Sequence, residues 1–291
     1  IAQANHKGIA VSGTDLRTQY WFDYPRGNEG TPERLKLKPA ANPKEAEVLV
    51  PFNDGKRLLL GNSTGVYLLQ ANSKQGAVPV KRLHPHRFDE EDYSSGDEID
   101  LAMVHVALSP DGRWIALGSQ DSQHILMNTQ GKVLAELESE NYPHHAVFDA
   151  QSRQVLLNEC HLYNGWTRKV NLPTAQPAAP TPMEFSKQMA DDDLRVYSSL
   201  RQGSRIYLGG SGDVSALDAE GRPQWTQFVG GTIKALDSTP SGDIWVANYS
   251  GLLERYRADP STPNEARIGT GDWHNVERWI FVADAAHPFA W

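Results

Sequence analysis

Along most of the chain one pattern recurs: a short apolar run, a polar or glycine-containing reversal, and a second apolar run. Gly8-Ile9-Ala10-Val11-Ser12 leads to Gln19-Tyr20-Trp21-Phe22, Leu58-Leu59-Leu60-Gly61 to Val66-Tyr67-Leu68-Leu69, and Ile115-Ala116-Leu117-Gly118 to His124-Ile125-Leu126-Met127. Three more pairs follow: Val155-Leu156-Leu157-Asn158 with His161-Leu162-Tyr163, Ile206-Tyr207-Leu208-Gly209 with Val214-Ser215-Ala216-Leu217, and Ile244-Trp245-Val246-Ala247 with Leu252-Leu253-Glu254-Arg255. Runs this short between turn signals predict β-strands, and each pair reads as a hairpin.

The anchors Ile9, Leu58, Ile115, Val155, Ile206 and Ile244 are 49, 57, 40, 51 and 38 residues apart. A period of roughly 40 to 50 residues is that of a four-stranded blade. Asn53-Asp54-Gly55, Ser109-Pro110-Asp111-Gly112 and Thr239-Pro240-Ser241-Gly242 supply reversals before three of the hairpins. Met103–Leu108 and Thr232–Leu236 precede two of them as inner strands, and glycine turns lead to outer strands near Val133-Leu134 and Gln224-Trp225.

The sequence therefore predicts an all-β chain, residues 1–291, forming a single β-propeller of about six, alternatively seven, four-stranded blades. The first hairpin has no evident upstream strand, and Val276–Val282 has no hairpin after it. Pairing of the N- and C-terminal strands is thus expected to close the ring and remove exposed sheet edges. The segment 173–182, with Pro173, Pro177, Pro180 and Pro182, reads as a stiff inter-blade connection. Its alternative is a boundary between two β-sandwich domains.

Leu108-Ser109-Pro110-Asp111-Gly112-Arg113-Trp114-Ile115-Ala116 resembles the inner turn of WD-repeat-like blades. Ala216-Leu217-Asp218-Ala219-Glu220-Gly221-Arg222-Pro223-Gln224-Trp225 resembles the blade ending of quinoprotein-like propellers. The resemblance spans nearly the whole chain. It implies a propeller fold and carries no catalytic or cofactor residue with it.

Composition leaves few function classes standing. Apolar residues make up 39% and charged residues 22%, as in ordinary globular chains. The formal charge of −8 argues against a nucleic-acid surface, which needs clustered Lys and Arg. Seven carboxylates, Asp89, Glu90, Glu91, Asp92, Asp97, Glu98 and Asp100, account for most of it. The sole cysteine, Cys160, excludes an intrachain disulfide and slightly favours the cytoplasm, with a periplasmic or secreted setting also compatible. No apolar run is long enough for a membrane span.

The conspicuous feature is the acidic loop insertion 84–98. In a propeller, outer-to-inner connections share a face with the central hairpin turns, here near Asn62, Asp121, Cys160, Ser211 and Asn248. Phe88 and Tyr93 bracket Asp89, Glu90, Glu91 and Asp92, so rings could supply buried area and carboxylates could steer a basic protein partner. A solvated acidic loop is the plainer alternative, and a calcium loop lacks the required Asp-x-Asp-x-Asp-Gly spacing.

His84-Pro85-His86, His144-His145 and Cys160-His161 contain competent metal ligands at no recognised metal-site spacing. Neighbouring strand residues point to opposite faces, so His161 is not expected to activate Cys160, which reads as a partly buried thiol at a strand end. Asp191-Asp192-Asp193 and Asp97-Glu98 are solvated loop carboxylates on this reading, and the eight tryptophans are blade packing. No catalytic residue, metal site or cofactor is assigned. The expected function is a non-catalytic interaction scaffold or regulatory binding protein. The alternatives are a propeller enzyme, such as a hydrolase, lyase or quinoprotein-like dehydrogenase, and a small-ligand or sugar-binding module with its site in the axial funnel.

Overall fold

The structure is a computed structural model describing residues 2–5, 8–12, 19–25, 46–71, 80–87, 99–162, 164–188, 194–256, 276–282 and 285–290. Every regular element among them is a β-strand, and within each sheet the strands lie in chain order, each hydrogen-bonded to its sequence neighbour in that sheet. No helix of the described residues is long and apolar enough to cross a membrane.

The strands form six sheets in chain order. The first holds β1 (Ala2–Asn5), β2 (Gly8–Ser12) and β3 (Gln19–Phe22). The second holds β4 (Val48–Pro51), β5 (Arg57–Asn62), β6 (Gly65–Gln70) and β7 (Val80–His84). The third holds β8 (His105–Leu108), β9 (Trp114–Gly118), β10 (His124–Asn128) and β11 (Val133–Leu137). In the fourth are β12 (Tyr142–Phe148), β13 (Gln154–His161), β14 (Asn164–Asn171) and β15 (Phe185–Gln188). The fifth comprises β16 (Ser198–Gln202), β17 (Arg205–Gly209), β18 (Asp213–Leu217) and β19 (Pro223–Phe228). The last has five strands: β20 (Ile233–Ser238), β21 (Ile244–Asn248), β22 (Leu252–Tyr256), β23 (Val276–Ile280) and β24 (Phe289–Ala290).

All six sequence anchors fall on the second strand of successive sheets. These strands read as unbroken apolar runs because both faces are buried. On β5, Leu58 and Leu60 pack with Ile9, Val11 and Phe22 of the first sheet, whereas Leu59 packs with Val106, Ile115 and Leu117 of the third. Fully burying a side chain of that size contributes about 1.5–3 kcal/mol. A second regularity is a bulge between third and fourth strands in the second, third, fourth and fifth sheets. Each bulge adds local twist to the outer strand.

A turn before one central hairpin, between β4 and β5, and a turn after another, between β18 and β19, share a clamp. Asp54 accepts from the backbone N–H groups of Lys56 and Arg57, and its other oxygen meets Arg57 Nε at 3.0 Å. Asp218 does the same for Glu220 and Arg222, with Arg222 Nε at 2.8 Å. Although partial burial works the other way, the Arg222 hydrogen bonds hold the Asp218 carboxyl below the usual carboxylate range. Side-chain oxygens here replace backbone acceptors that the reversal cannot provide.

Three expectations are corrected. The strand Val276–Ile280 does not complete the first sheet: it pairs with β22 on one side and β24 on the other, while β1 gives the first hairpin its upstream strand. No pairing between N- and C-terminal strands occurs among the described residues. The Pro-rich segment 173–182 joins β14 to β15, hydrogen-bonded neighbours in one sheet, so it is not an inter-blade connection. It lies along β11 and the turn before β9, through Thr181 N to Leu134 O at 2.8 Å and Gln176 Nε2 to Arg113 O at 2.9 Å. Finally, Asn158 to His161 continues β13, and Leu162 lies in the turn that follows it.

By its contacts the chain divides into two compact units: residues 1–148 with 173–184, and 149–172 with 185–291. In the first, the core joins sheets one to three. In the second, Tyr207, Val214 and Ala216 of the fifth sheet pack with Ile233, Ile244, Val246 and Tyr256 of the last. Trp225 bridges those two sheets, its ring 6.0 Å from Tyr207 and 6.2 Å from Tyr256, as expected of a packing tryptophan.

Candidate functional site

In the sequence the acidic insertion lies between β7 and β8, both in the first unit. At the exit, His84 Nε2 lies 2.9 Å from Ser119 Oγ in the β9–β10 turn. The His84–Pro85 peptide is cis. Two residues on, His86 Nε2 and Arg87 Nη2 grip the two oxygens of Glu136 on β11 at 3.2 and 2.7 Å. At the return, Ile99 and Leu101 are buried in the core. Leu101 N donates to Ser63 O at 2.7 Å, and Gln120 N to Ala102 O at 2.8 Å.

Both flanks are thus fastened to the turns joining second and third strands of adjacent sheets, the arrangement expected for a loop-bearing face. Gly65 tightens the exit further. Its φ is +145°, and a Cβ there would fall 2.3 Å from the His84 carbonyl oxygen. Phe88, Asp89, Glu90, Glu91, Asp92 and Tyr93, with Asp97 and Glu98, lie outside the described residues. Of the expected turn markers, Asn62, Asp121, Ser211 and Asn248 sit at second-to-third-strand reversals, whereas Cys160 lies within β13.

Packed beneath this face is a group of imidazoles from several strands: His84, His105, His124, His144 and His145, with His86 at the rim. Because the Met103 carbonyl can only accept, Nδ1 of His105 donates to it at 3.2 Å. Nε2 of His105 is then left to accept from His124 Nδ1, also at 3.2 Å. Burial first, and then neighbouring positive charge from other imidazoles, pushes His84 and His145 down to about 3; burial does the same for His105. His84, His105 and His145 are therefore neutral at ordinary pH. The sequence marked four of the six as metal candidates and missed His105 and His124, which stand alone in the chain. Among the described residues, no three His, Cys, Asp or Glu side chains are placed to hold a metal ion.

In the second unit, Cys160 is fully buried, and burial raises its thiol pKa, while His161 beside it is exposed. That is the structural thiol expected from strand alternation. Glu159, equally buried, is ion-paired with Arg168, whose guanidinium covers the Phe185 ring at 3.6 Å. Such a pair orders β13 against β14. Asp191, Asp192 and Asp193 lie outside the described residues. A cleft of about 450 Å³ in the first unit, lined by Arg57, Leu68, Gln70, Lys81 and Gln130, opens at the opposite strand ends. Its cations are engaged, Arg57 by Asp54 and Lys81 by the Gln130 carbonyl.

The loop-bearing strand ends of the second unit differ in character. Phe228 is 42% exposed, Tyr249 68%, Phe281 57% and Val282 51%. They sit on neighbouring connections: Val229 N donates to Gly212 O at 2.8 Å, Tyr249 N to Thr232 O at 2.9 Å, and Phe281 N to Gly251 O at 3.4 Å. Lys234 Nζ lies 4.5 Å from the Tyr249 ring centroid.

No protein-family model matches the chain, and no curated protein matches it. Among solved structures, it is similar to the crystal structure of the Myceliophteria thermophila Cps50 (Swd1) β-propeller domain, with a TM-score of 0.51 and 14% identity over 86% of this chain and 73% of that one. At that identity the likeness speaks to fold alone. Together with six successive antiparallel sheets, each anchored on its second strand, it makes this chain a β-propeller.

Proposed function

We propose that the chain is a non-catalytic protein-interaction scaffold, one propeller domain that contacts a basic partner through Phe88, Asp89, Glu90, Glu91, Asp92 and Tyr93. The observation that supports this reading is the fastening of both flanks of the insertion, by His84 to Ser119 and Leu101 to Ser63. A binding loop carried on rigid strand ends loses less freedom on association than one on a loose tether. Seven carboxylates in so short a stretch would draw a cationic surface and speed encounter, an effect that salt screens. The propeller likeness to a domain from another protein adds fold-level support only.

The test is affinity capture with the tagged full chain and with a variant carrying Asp89→Lys, Glu90→Lys, Glu91→Lys and Asp92→Lys. A basic partner should be recovered by the parent, weaken as salt rises, and be lost from the variant. Equal recovery by both would remove the acidic segment from the interface.

A further inference from the structure

The second unit offers a surface of opposite character to the acidic insertion. Phe228, Tyr249, Phe281 and Val282 expose apolar side chains on connections that backbone hydrogen bonds tie together, Tyr249 N to Thr232 O and Phe281 N to Gly251 O, and several such residues on adjoining connections ask for an explanation that isolated ones do not. The loops are tightly held. Asn248 Oδ1 accepts from Ser250 N at 3.0 Å and Leu252 N at 3.1 Å, and its amide donates to the Gly230 carbonyl. Gly230 and Gly231, with φ of +82° and +77°, bring the chain so close that a Cβ on Gly231 would meet Ser250 Oγ at 2.4 Å. The Phe228 ring lies over Gly212, where a Cβ would fall 3.0 Å from it. Rings on such a frame present contact area with little entropy to lose.

Charge selects the occupant. Lys234 stands over Tyr249, and among the described residues no carboxylate forms an ion pair with it. An apolar platform with an ammonium at its rim fits a segment combining apolar and acidic side chains. We infer that the surface formed by Phe228, Tyr249, Phe281, Val282 and Lys234 is a docking site for an acidic, apolar segment of a partner protein, separate from the acidic insertion.

The experiment titrates the full chain against two fluorescein-labelled peptides of identical leucine spacing, one with glutamate and one with lysine at the polar positions. Fluorescence anisotropy should show saturable binding of the glutamate peptide, with the lysine peptide at least about tenfold weaker. Tyr249→Ser and Phe281→Ser, both at exposed positions, should each weaken the glutamate peptide by about tenfold with an unchanged circular dichroism spectrum. Lys234→Glu should reverse the preference between peptides. The four-site lysine variant of residues 89–92 should bind as the parent does, which separates this site from the function proposed above. No saturable binding, equal affinity for both peptides, or indifference to Lys234→Glu overturns the inference. So does self-association in sedimentation that Tyr249→Ser abolishes, because the occupant would then be a second copy.

Discussion

His105 and His124 meet edge-on, with ring centroids 5.2 Å apart and Nε2 of the first accepting from Nδ1 of the second. That contact works only while His105 is neutral, since a protonated ring has no acceptor left. Around it stand His144 and His145 on β12, His84 at the end of β7 with Arg82 beside it, and His86 paired to Glu136 on β11.

Acid should therefore destabilise the first unit before any carboxylate titrates. His84 and His105 have pKa values of about 3 in the native state against the ordinary 6.5. Their contribution is complete above pH 6.5 and is lost as pH falls toward 3, because the unfolded chain binds protons that the native chain refuses. Urea unfolding between pH 6.5 and 5 should show stability falling by up to about 1.4 kcal/mol per pH unit for each coupled proton, and His105→Gln should flatten the slope. A level profile across that range would show the imidazoles are not held neutral.

The buried turn acceptor Asp149 should matter more than its surface counterparts. It takes Arg153 N at 2.7 Å and Gln154 N at 2.8 Å while only 6% exposed. Asp149→Ala leaves both donors without their acceptor and should cost about 2 kcal/mol in chemical unfolding, whereas Asp149→Asn keeps an acceptor oxygen and should cost about half as much. Equal losses would assign the effect to charge.

Leu162 occupies the left-handed region at φ +54° with its side chain 68% exposed. Asparagine tolerates that conformation better than leucine. Leu162→Asn should raise the thermal midpoint by about 1–2 °C. A lowered midpoint would mean that the leucine side chain makes contacts worth more than the strain.

Cys160 should be chemically silent in the folded protein. Alkylation by iodoacetamide at pH 8 should be slower by at least about a hundredfold than in denaturant, given a buried thiol with a raised pKa. Native and denatured rates that match would place the thiol at the surface.

The sequence revealed the sheets wherever apolar runs had no polar interruption. Leu58-Leu59-Leu60 and Ile115-Ala116-Leu117 could hardly be anything but strands buried on both faces. It misled at β13, where Asn158 and Glu159 looked like the start of a turn. Asn158 is instead satisfied inside the sheet, its amide bonding Trp166 O and Leu194 O and its oxygen accepting from Val196 N, and Glu159 is neutralised by Arg168. Such rescue is invisible in a local pattern. β15 followed a Pro-rich stretch that read as an inter-blade connection, and β24 has only two residues, so neither had a periodic signal. The insertion's flanks were foreseeable from propeller geometry. The imidazole cluster was not, because it depends on which strand ends adjoin.

The alternation along β5 carries one more implication. Leu58 and Leu59 are covalent neighbours, yet they answer to different cores. Truncating both should give nearly additive losses, while truncating Leu58 together with Phe22 should not. In this architecture a defect spreads sideways through a shared interface and is ignored by the residue next door.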